Sequence, residues 1–372
     1  MLSSHSNLDS EEITFFLASL RGGGAERVML TIINDLASKG FQVNLILLRA
    51  EGPYLSDVHE SVVVTDIGVN RAVLSLRFMI SYFRKYKPKV ILSALPHINL
   101  VTCWARRFSG IESKVIITEH NTLSRSVKHA TTTRGRWLPL FMRLTYRSAD
   151  TIIAVSNGVA DDLSTMLKLR RNHINVIYNP VVSEDLRNNS EKPVDHPWLT
   201  SHKVPVILGV GRLTEAKNFN ALIHAFSLVV ASIPAKLIIL GEGEQRDSLE
   251  AIIGQLDLAD KVDLPGFTNN PYPYMKCADL FVLSSIWEGL PTVLIEALSC
   301  GAKVVSTDCP SGPREILENG KWGTLVPINN VEALANAIIC SLEHASHFPD
   351  PRSWEQYTVK TSLSQYKKFI FN

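Results

Sequence analysis

The sequence predicts an α/β protein built from two doubly wound, Rossmann-like parallel-sheet domains in tandem. Three observations carry this. The chain has 372 residues, too long for one ordinary core and suited to two domains of ~100–200 residues each. Short apolar runs alternate with amphipathic stretches, and the rhythm stops and restarts once. The break falls in SEDLRNNSEKPVDHPWLTSHKVP (183–205), a polar, Pro-bearing segment that reads as a linker.

The first domain, placed at 1–195, opens with the apolar segment ITFFLASL (13–20), then RGGGAE, then an amphipathic stretch over 27–40. Val28, Leu30, Ile32, Ile33 and Leu36 recur at near-helical spacing, and Gly40 follows where a C-terminal cap would sit. The strand-like FQVNLILL (41–48) completes a βαβ unit, which implies a parallel sheet. Further buried-strand candidates are VVVTDI (62–67), KVILSAL (89–95), KVIITEH (114–120), DTIIAVS (150–156) and INVIYN (174–179).

The second domain, placed at 196–352, repeats the pattern. VPVILGVGRL (204–213) leads to a helix over 220–232 and the strand AKLIILGEG (235–243). A helix over 244–255 and the strands KVDLPGF (261–267), ADLFVLSS (278–285) and GAKVVSTD (301–308) follow. Residues 353–372 read as one or two closing helices. Two such halves imply a cleft between domains, a common place for small-molecule sites. No repeat of ~20–50 residues is evident, which argues against a solenoid.

Composition narrows the class. Hydrophobic residues make up 45% and charged residues 20%, as in folded soluble proteins rather than disordered ones. Cys103, Cys277, Cys300, Cys309 and Cys340 form no C-x-x-C pair, which suits a reducing compartment and argues against a disulfide framework or structural zinc. MLSSHSNLDSEE lacks the basic and apolar regions of a secretory signal. No apolar run reaches the ~18–20 residues of a spanning helix. The expected location is the cytoplasm, free or peripheral on a membrane.

The small net charge of +2 hides an asymmetry. Between Arg71 and Arg147 stand 15 Lys and Arg against two carboxylates, Glu112 and Glu119. A solvated surface, nucleic acid, anionic lipid and a phosphorylated substrate are the available explanations. Nucleic acid is the poorest of these, because no recognised binding motif accompanies the charge.

The most informative stretch is SSIWEGLPTVLIEALSCGAKVVSTD (284–308). Glu288 and Glu296 are separated by seven residues, and Gly289-Leu290-Pro291 supplies a turn followed by a proline suited to a helix start. A helix from there would offer free N–H groups at Leu290 and Thr292 to a phosphate. Glu296, further inside, could accept both hydroxyls of a ribose, while Glu288 and Gly289 would face a sugar. Two glutamates at this spacing occur often by chance. The flanking strands and the turn between them lend the weight.

With those residues in view, the chain resembles the large retaining glycosyltransferase family 4, whose members have the GT-B fold of two Rossmann-like domains facing across a cleft. The resemblance runs in order along nearly the whole chain. GVGRLTEAKN (209–218) is similar to that family's phosphate-binding segment, which implies that Arg212 and Lys217 clamp the donor diphosphate. Two fixed cations and a helix N-terminus would stabilise the departing diphosphate as charge accumulates on it. That arrangement needs no metal, and no D-x-D triad is present to hold one. No cofactor is expected.

LGEGEQRDSLE (240–250) resembles the family's turn after the second strand of this domain. Arg246 stands where the third glycine of G-x-G-x-x-G belongs, against a dinucleotide-binding reading. LPGF (264–267) resembles the segment beside the base, which implies contacts from Gly266 and Phe267; a core role for Phe267 is the alternative. RGGGAERV (21–28) resembles the family's glycine-rich loop, so Gly22, Gly23 and Gly24 would let backbone approach the diphosphate or acceptor, or would only make a tight turn. ITEHN (117–121) ends a strand where the family often places a histidine near the donor sugar, which implies that role, close to the chemistry, for His120; a structural histidine is the alternative. SNGV (156–159) and YNPV (178–181) read as architectural or cleft-lining.

GGGAERV together with CPSGPREIL (309–317) resembles the bacterial enzymes of this family that extend lipid-linked oligosaccharides and surface polysaccharides, some with UDP-N-acetylgalactosamine or a related UDP-hexose. The resemblance implies a nucleotide sugar as donor and a polyprenyl-diphosphate-linked or polysaccharide acceptor. The expected place is the cytoplasmic face of the plasma membrane, with the basic 71–147 region against anionic lipid. A GT-B nucleotide-sugar epimerase, a non-catalytic sugar-nucleotide-binding protein and, more distantly, a Rossmann dehydrogenase are the competing readings.

Overall fold

The computed structural model describes residues 12–128, 133–201, 203–344 and 349–371, with side chains from 137 onward in the segment after 132. Residues 1–11 and the side chains of Arg134 and Arg136 lie outside it. The chain forms two compact units. The first runs to Val155, resumes over Val159–Tyr178 and takes in the chain's end from Ser362; the second holds Ser156–Gly158 and Asn179–Thr361.

The first unit is a seven-stranded parallel sheet of β1 (Ile13–Leu17), β2 (Val43–Leu47), β3 (Val63–Asp66), β4 (Val90–Ala94), β5 (Lys114–Glu119), β6 (Thr151–Ala154) and β7 (Ile174–Val176), in the order β3-β2-β1-β4-β5-β6-β7. The central strands β1 and β4 are buried along their whole length, as continuous apolar runs covered on both faces must be. The helix Gly24–Ser38 buries Val28, Met29, Leu30, Ile32, Ile33, Leu36 and Ala37, and Gly40 follows with φ 84.

The second unit is a six-stranded parallel sheet of β8 (Val206–Val210), β9 (Lys236–Leu240), β10 (Val262–Gly266), β11 (Leu280–Leu283), β12 (Val304–Thr307) and β13 (Thr324–Val326), in the order β10-β9-β8-β11-β12-β13. Its core gathers Phe219, Phe226, Leu237, Ile239, Leu280 and Val282 from the strands and the helix Phe219–Ser232, together with Leu334 and Ile338 of the helix Val331–Glu343. This last helix and β13 were not expected from the sequence; β13 has only three residues.

The segment read as a linker carries regular structure among its described residues. It contains the helices Glu184–Ser190 and Pro197–Ser201, the first capped by Ser183 Oγ, which accepts from Leu186 N at 3.1 Å. Leu186 and Leu199 are buried, and His196 packs against Trp198 and Tyr274. The chain therefore enters the second unit after Tyr178. Within the first unit, Lys367 of the final helix (Val359–Phe371) pairs with Asp35 at 2.8 Å, and Phe371 lies on Phe41 with ring centroids 4.8 Å apart.

Candidate functional site

In an open α/β sheet, ligands bind beyond the carboxyl ends of the strands where the strand order reverses. In the second unit that point lies between β8 and β11. The loop after β8 carries Arg212 and Lys217; the loop after β11 carries Ser284, Ser285 and Glu288. They are stitched together by Ile286 N donating to Ala216 O at 2.8 Å and Ser284 Oγ donating to Lys217 O at 2.8 Å.

Across this crevice Lys217 Nζ stands 2.6 Å from Glu288 Oε1, with side chains 20% and 12% exposed. Ser285 Oγ donates to the same oxygen at 2.6 Å. Oε1 thus takes both partners, while Oε2 accepts no hydrogen bond among the described residues. The Arg212 side chain is exposed and makes no ion pair among the described residues. Its loop depends on Gly241, whose φ is +142 and where a Cβ would fall 1.9 Å from Gly211 O. The glycines of LGEGEQR therefore let two backbones pass, a packing role rather than dinucleotide binding.

The E-x7-E turn is held from two sides. Pro291 precedes the first residue of the helix Thr292–Ser299, and Leu290 is buried beneath it. The carbonyl of Gly289 accepts from Ser156 Oγ at 2.9 Å and from Ser311 Oγ at 2.7 Å. Asn157 N donates to Glu315 Oε1 at 3.0 Å, and Asn157 Nδ2 donates to the same oxygen at 2.6 Å. SNGV and CPSGPREIL, separate landmarks in the sequence, thus meet on the glutamate turn. The serine pair was not foreseen, because its members are 155 residues apart; Ser285, three residues from Glu288, was in view but carried no pattern of its own.

Glu296 sits in this helix and is buried. Gly266, at the end of β10, is buried with φ +92. Phe267 is 74% exposed, which removes the core alternative and leaves its ring available to a ligand.

In the first unit the strand order reverses between β1 and β4. The glycine-rich loop follows β1, but two of its amides are engaged: Gly22 N and Gly23 N donate to Glu26 Oε2 at 2.9 and 3.0 Å, and Ser19 Oγ donates to Oε1 at 3.0 Å. A carboxylate of the chain itself fills the anion-binding nest, so Gly23 meets an anion there only if Glu26 moves. Nothing in the chain lies within 4 Å of a Cβ placed on Gly24, so the chain's own packing does not demand a glycine at that position.

His120 follows the end of β5 with 8% exposure. Its Nε2 lies 3.1 Å from Thr118 Oγ1, and its Nδ1 is buried without a partner. Burial pushes its pKa down to about 4, so the ring is neutral at physiological pH. Beside it, Glu119 is fully buried and accepts from Tyr146 and from Asn99 Nδ2, the latter at 2.9 Å. Burial raises this carboxyl to about 7 against the opposing effect of those two hydrogen bonds. Among the described residues no group of three or more His, Cys, Asp or Glu is placed to hold a metal ion, and no helix is long and apolar enough to cross a membrane.

Two parallel-sheet units, each with its loops gathered at a switch point, and a glutamate turn braced beside a lysine define a GT-B glycosyltransferase. Family models agree: that for Glycosyltransferase Family 4 matches residues 22–185 and that for glycosyl transferases group 1 matches 193–361. The chain belongs to glycosyltransferase family 4. It is 33% identical over 344 residues, 90% of each chain, to the N-acetylgalactosamine-N,N'-diacetylbacillosaminyl-diphospho-undecaprenol 4-alpha-N-acetylgalactosaminyltransferase of Campylobacter jejuni. It is 28% identical, over 86% of this chain and 85% of the other, to the lipopolysaccharide core biosynthesis glycosyltransferase LpsE of Rhizobium meliloti. Among solved structures, Anabaena HepE in complex with UDP superimposes with a TM-score of 0.77 at 21% identity, covering 96% of this chain and 98% of that one.

Proposed function

We propose that the protein is a retaining glycosyltransferase that moves a hexose or N-acetylhexosamine from a UDP-sugar to a lipid-linked or polysaccharide glycan at the cytoplasmic membrane face. The observation that carries the donor half is the Lys217–Glu288 pair at the β8/β11 switch point. Lys217 keeps further N–H donors for a diphosphate, and Glu288 Oε2 is left to accept hydroxyls of the sugar. Arg212 and the N-terminus of the helix at Thr292 add positive charge to the departing diphosphate. Glu296 holds the ribose, and Phe267 with Gly266 lies beside the base.

The transfer proceeds by attack on the face the diphosphate leaves, with the leaving phosphate taking the acceptor's proton. Glu119, the carboxylate nearest His120 in sequence, is locked to Tyr146 and Asn99 and buried, which makes it unsuited to be a nucleophile. Trapping of a covalent sugar adduct on a protein side chain would overturn this route.

The relatives support a lipid-linked acceptor, since the Campylobacter jejuni enzyme is named for an undecaprenol diphosphate. A membrane-facing surface is supported by the first unit. The helix Thr133–Tyr146 exposes Trp137, Leu140, Phe141 and Leu144, a stripe at helical spacing, while Met142, Thr145 and Tyr146 are buried. Exposed Arg147 follows it, and Lys128 precedes it. Apolar side chains flanked by cations fit an anionic bilayer surface. The test is the anomeric configuration of the product made from an α-linked UDP-sugar and a polyprenyl-diphosphate-linked acceptor. An α product is expected, and a β product would refute retention.

A further inference from the structure

The hydrogen bonds around His120 determine which ring nitrogen carries the proton. Thr118 Oγ1 lies 3.1 Å from His120 Nε2 and 3.1 Å from the carbonyl oxygen of Ser93. A hydroxyl has one proton, and a carbonyl only accepts. The Thr118 proton therefore goes to Ser93 O, and Oγ1 is left to accept from a protonated Nε2. The surrounding groups agree with this direction. Ser93 Oγ donates to Asn99 Oδ1 at 2.8 Å. Asn99 Nδ2 donates to Thr118 O at 3.0 Å and Glu119 Oε1 at 2.9 Å, with Tyr146 Oη as a longer third acceptor at 3.3 Å. Ser93, Asn99 and Thr118 are fully buried, away from bulk solvent.

The other ring nitrogen, Nδ1, is buried with no partner. A buried N–H left unpaired is rarer and costlier than an unfilled acceptor lone pair. The Nε2–H tautomer leaves the lone pair; the other tautomer leaves the N–H.

We infer that Thr118 is a positioning residue that fixes His120 as the Nε2–H tautomer, so that Nδ1 accepts a hydrogen bond from a sugar hydroxyl. This rests on the reading of His120 as part of the sugar site and adds the polarity of its contact. The hydroxyl belongs either to the transferred sugar or to the acceptor glycan, and the site's chemistry is the same for both. Burial lowers the basicity of the ring, so Nδ1 serves as a hydrogen-bond acceptor rather than taking the hydroxyl's proton.

The test is the ring 15N spectrum of the full-length protein labelled with 15N-histidine, with the His120 signals assigned by difference from His120→Gln. The expected result is a protonated Nε2 and an unprotonated Nδ1, with the Nδ1 signal moving when the nucleotide sugar or the lipid-linked acceptor is added. A protonated Nδ1 in the unliganded protein would overturn the inference, and this spectrum decides it even if no Thr118 variant folds. Thr118→Val should mix the tautomers and raise KM about tenfold for whichever substrate supplies the hydroxyl; Thr118→Ser should restore both. Unchanged tautomer and KM in Thr118→Val would also refute the inference.

Monodeoxy and monofluoro donors and acceptors identify the partner. At the contacted position fluorine should bind as poorly as hydrogen, since it cannot donate, whereas a fluoro analogue that binds like the parent would contradict an accepting Nδ1. Absence of transfer from every nucleotide sugar would sink the functional reading while leaving the tautomer result standing.

Discussion

Lys217 Nζ and Glu288 Oε1, 71 residues apart in sequence, lie 2.6 Å from each other across the β8/β11 switch point. The cation proposed to clamp the phosphate and the carboxylate proposed to face the sugar are thus one unit. Each side chain holds the other in place, and Ser284 and Ser285 hold the pair through Lys217 O and Glu288 Oε1. Lys217→Ala and Glu288→Ala should each lower kcat/KM for the nucleotide sugar by about 10²–10³-fold. Because they act together, the double variant should lose little more than the worse single one. Steady-state kinetics of the three variants checks this; multiplicative losses would show two independent groups.

The backbone beneath the glutamate turn predicts a stability effect. Gly312 has φ +99, and a Cβ there would come within 2.3 Å of Pro291 Cδ. Gly312→Ala should destabilise the second unit by about 1–3 kcal/mol and reduce activity as the Gly289 turn shifts. Gly254 is the control. It lies inside the helix Arg246–Gln255, and a methyl group placed on it would meet nothing within 4 Å, so Gly254→Ala should stabilise by about 0.4–1 kcal/mol. Thermal or urea unfolding of both variants checks the pair.

Glu119 predicts a pH dependence. Burial raises its folded pKa to about 7, above the ordinary glutamate value of 4.5. Below 4.5 both states hold the proton and the native state keeps its full stability. As pH rises towards 7 the unfolded chain ionises first, and stability is lost. Glu119→Gln removes that titration. Relative to wild type it should gain stability between pH 5 and pH 8, by about 1–3 kcal/mol, with the gain absent near pH 4. Urea unfolding across that range checks the sign. His120 works in the opposite sense: its pKa is depressed to about 4, so its share of stability is present above its usual value near 6.5 and is lost as pH falls towards 4.

The exposed stripe of the helix Thr133–Tyr146 predicts membrane behaviour. Vesicles containing anionic lipid should sediment the protein at low salt, and high salt should release most of it. Leu140→Ser with Leu144→Ser should weaken binding about tenfold, without changing transfer to a water-soluble, short-prenyl acceptor. No binding at any salt concentration would refute the membrane reading.

Much of the fold was legible because central strands of a parallel sheet are buried on both faces. ITFFL, VILSA and KLIIL announce themselves as apolar runs, and parallel pairing requires crossover connections, here helices, between successive strands. What escaped is equally physical. TLV at 324–326 is too short to stand out, and the helices at 184–190 and 197–201 bury few apolar residues, so their polar composition read as a linker. Glu288, Lys217 and His120 were visible as residues in a pattern. Their partners were not, because Ser156–Gly289, Asn157–Glu315 and Lys217–Glu288 join positions 71 to 158 residues apart. Glu26 shows the converse: a capping glutamate four residues after Gly22 was in plain view, yet its hold on the loop amides emerged only in three dimensions.

Sugar transfer from the proposed Lys217–Glu288 site is tested most directly by nucleotide release. Free nucleotide should be measured from a panel of UDP-, GDP- and ADP-sugars, with and without a polyprenyl-diphosphate-linked acceptor, for the wild type, Lys217→Ala and Glu288→Ala. The account predicts acceptor-dependent UDP release by the wild type and its near-complete loss in both variants. Conversion of the nucleotide sugar without any acceptor, or transfer unaffected by either substitution, would contradict it.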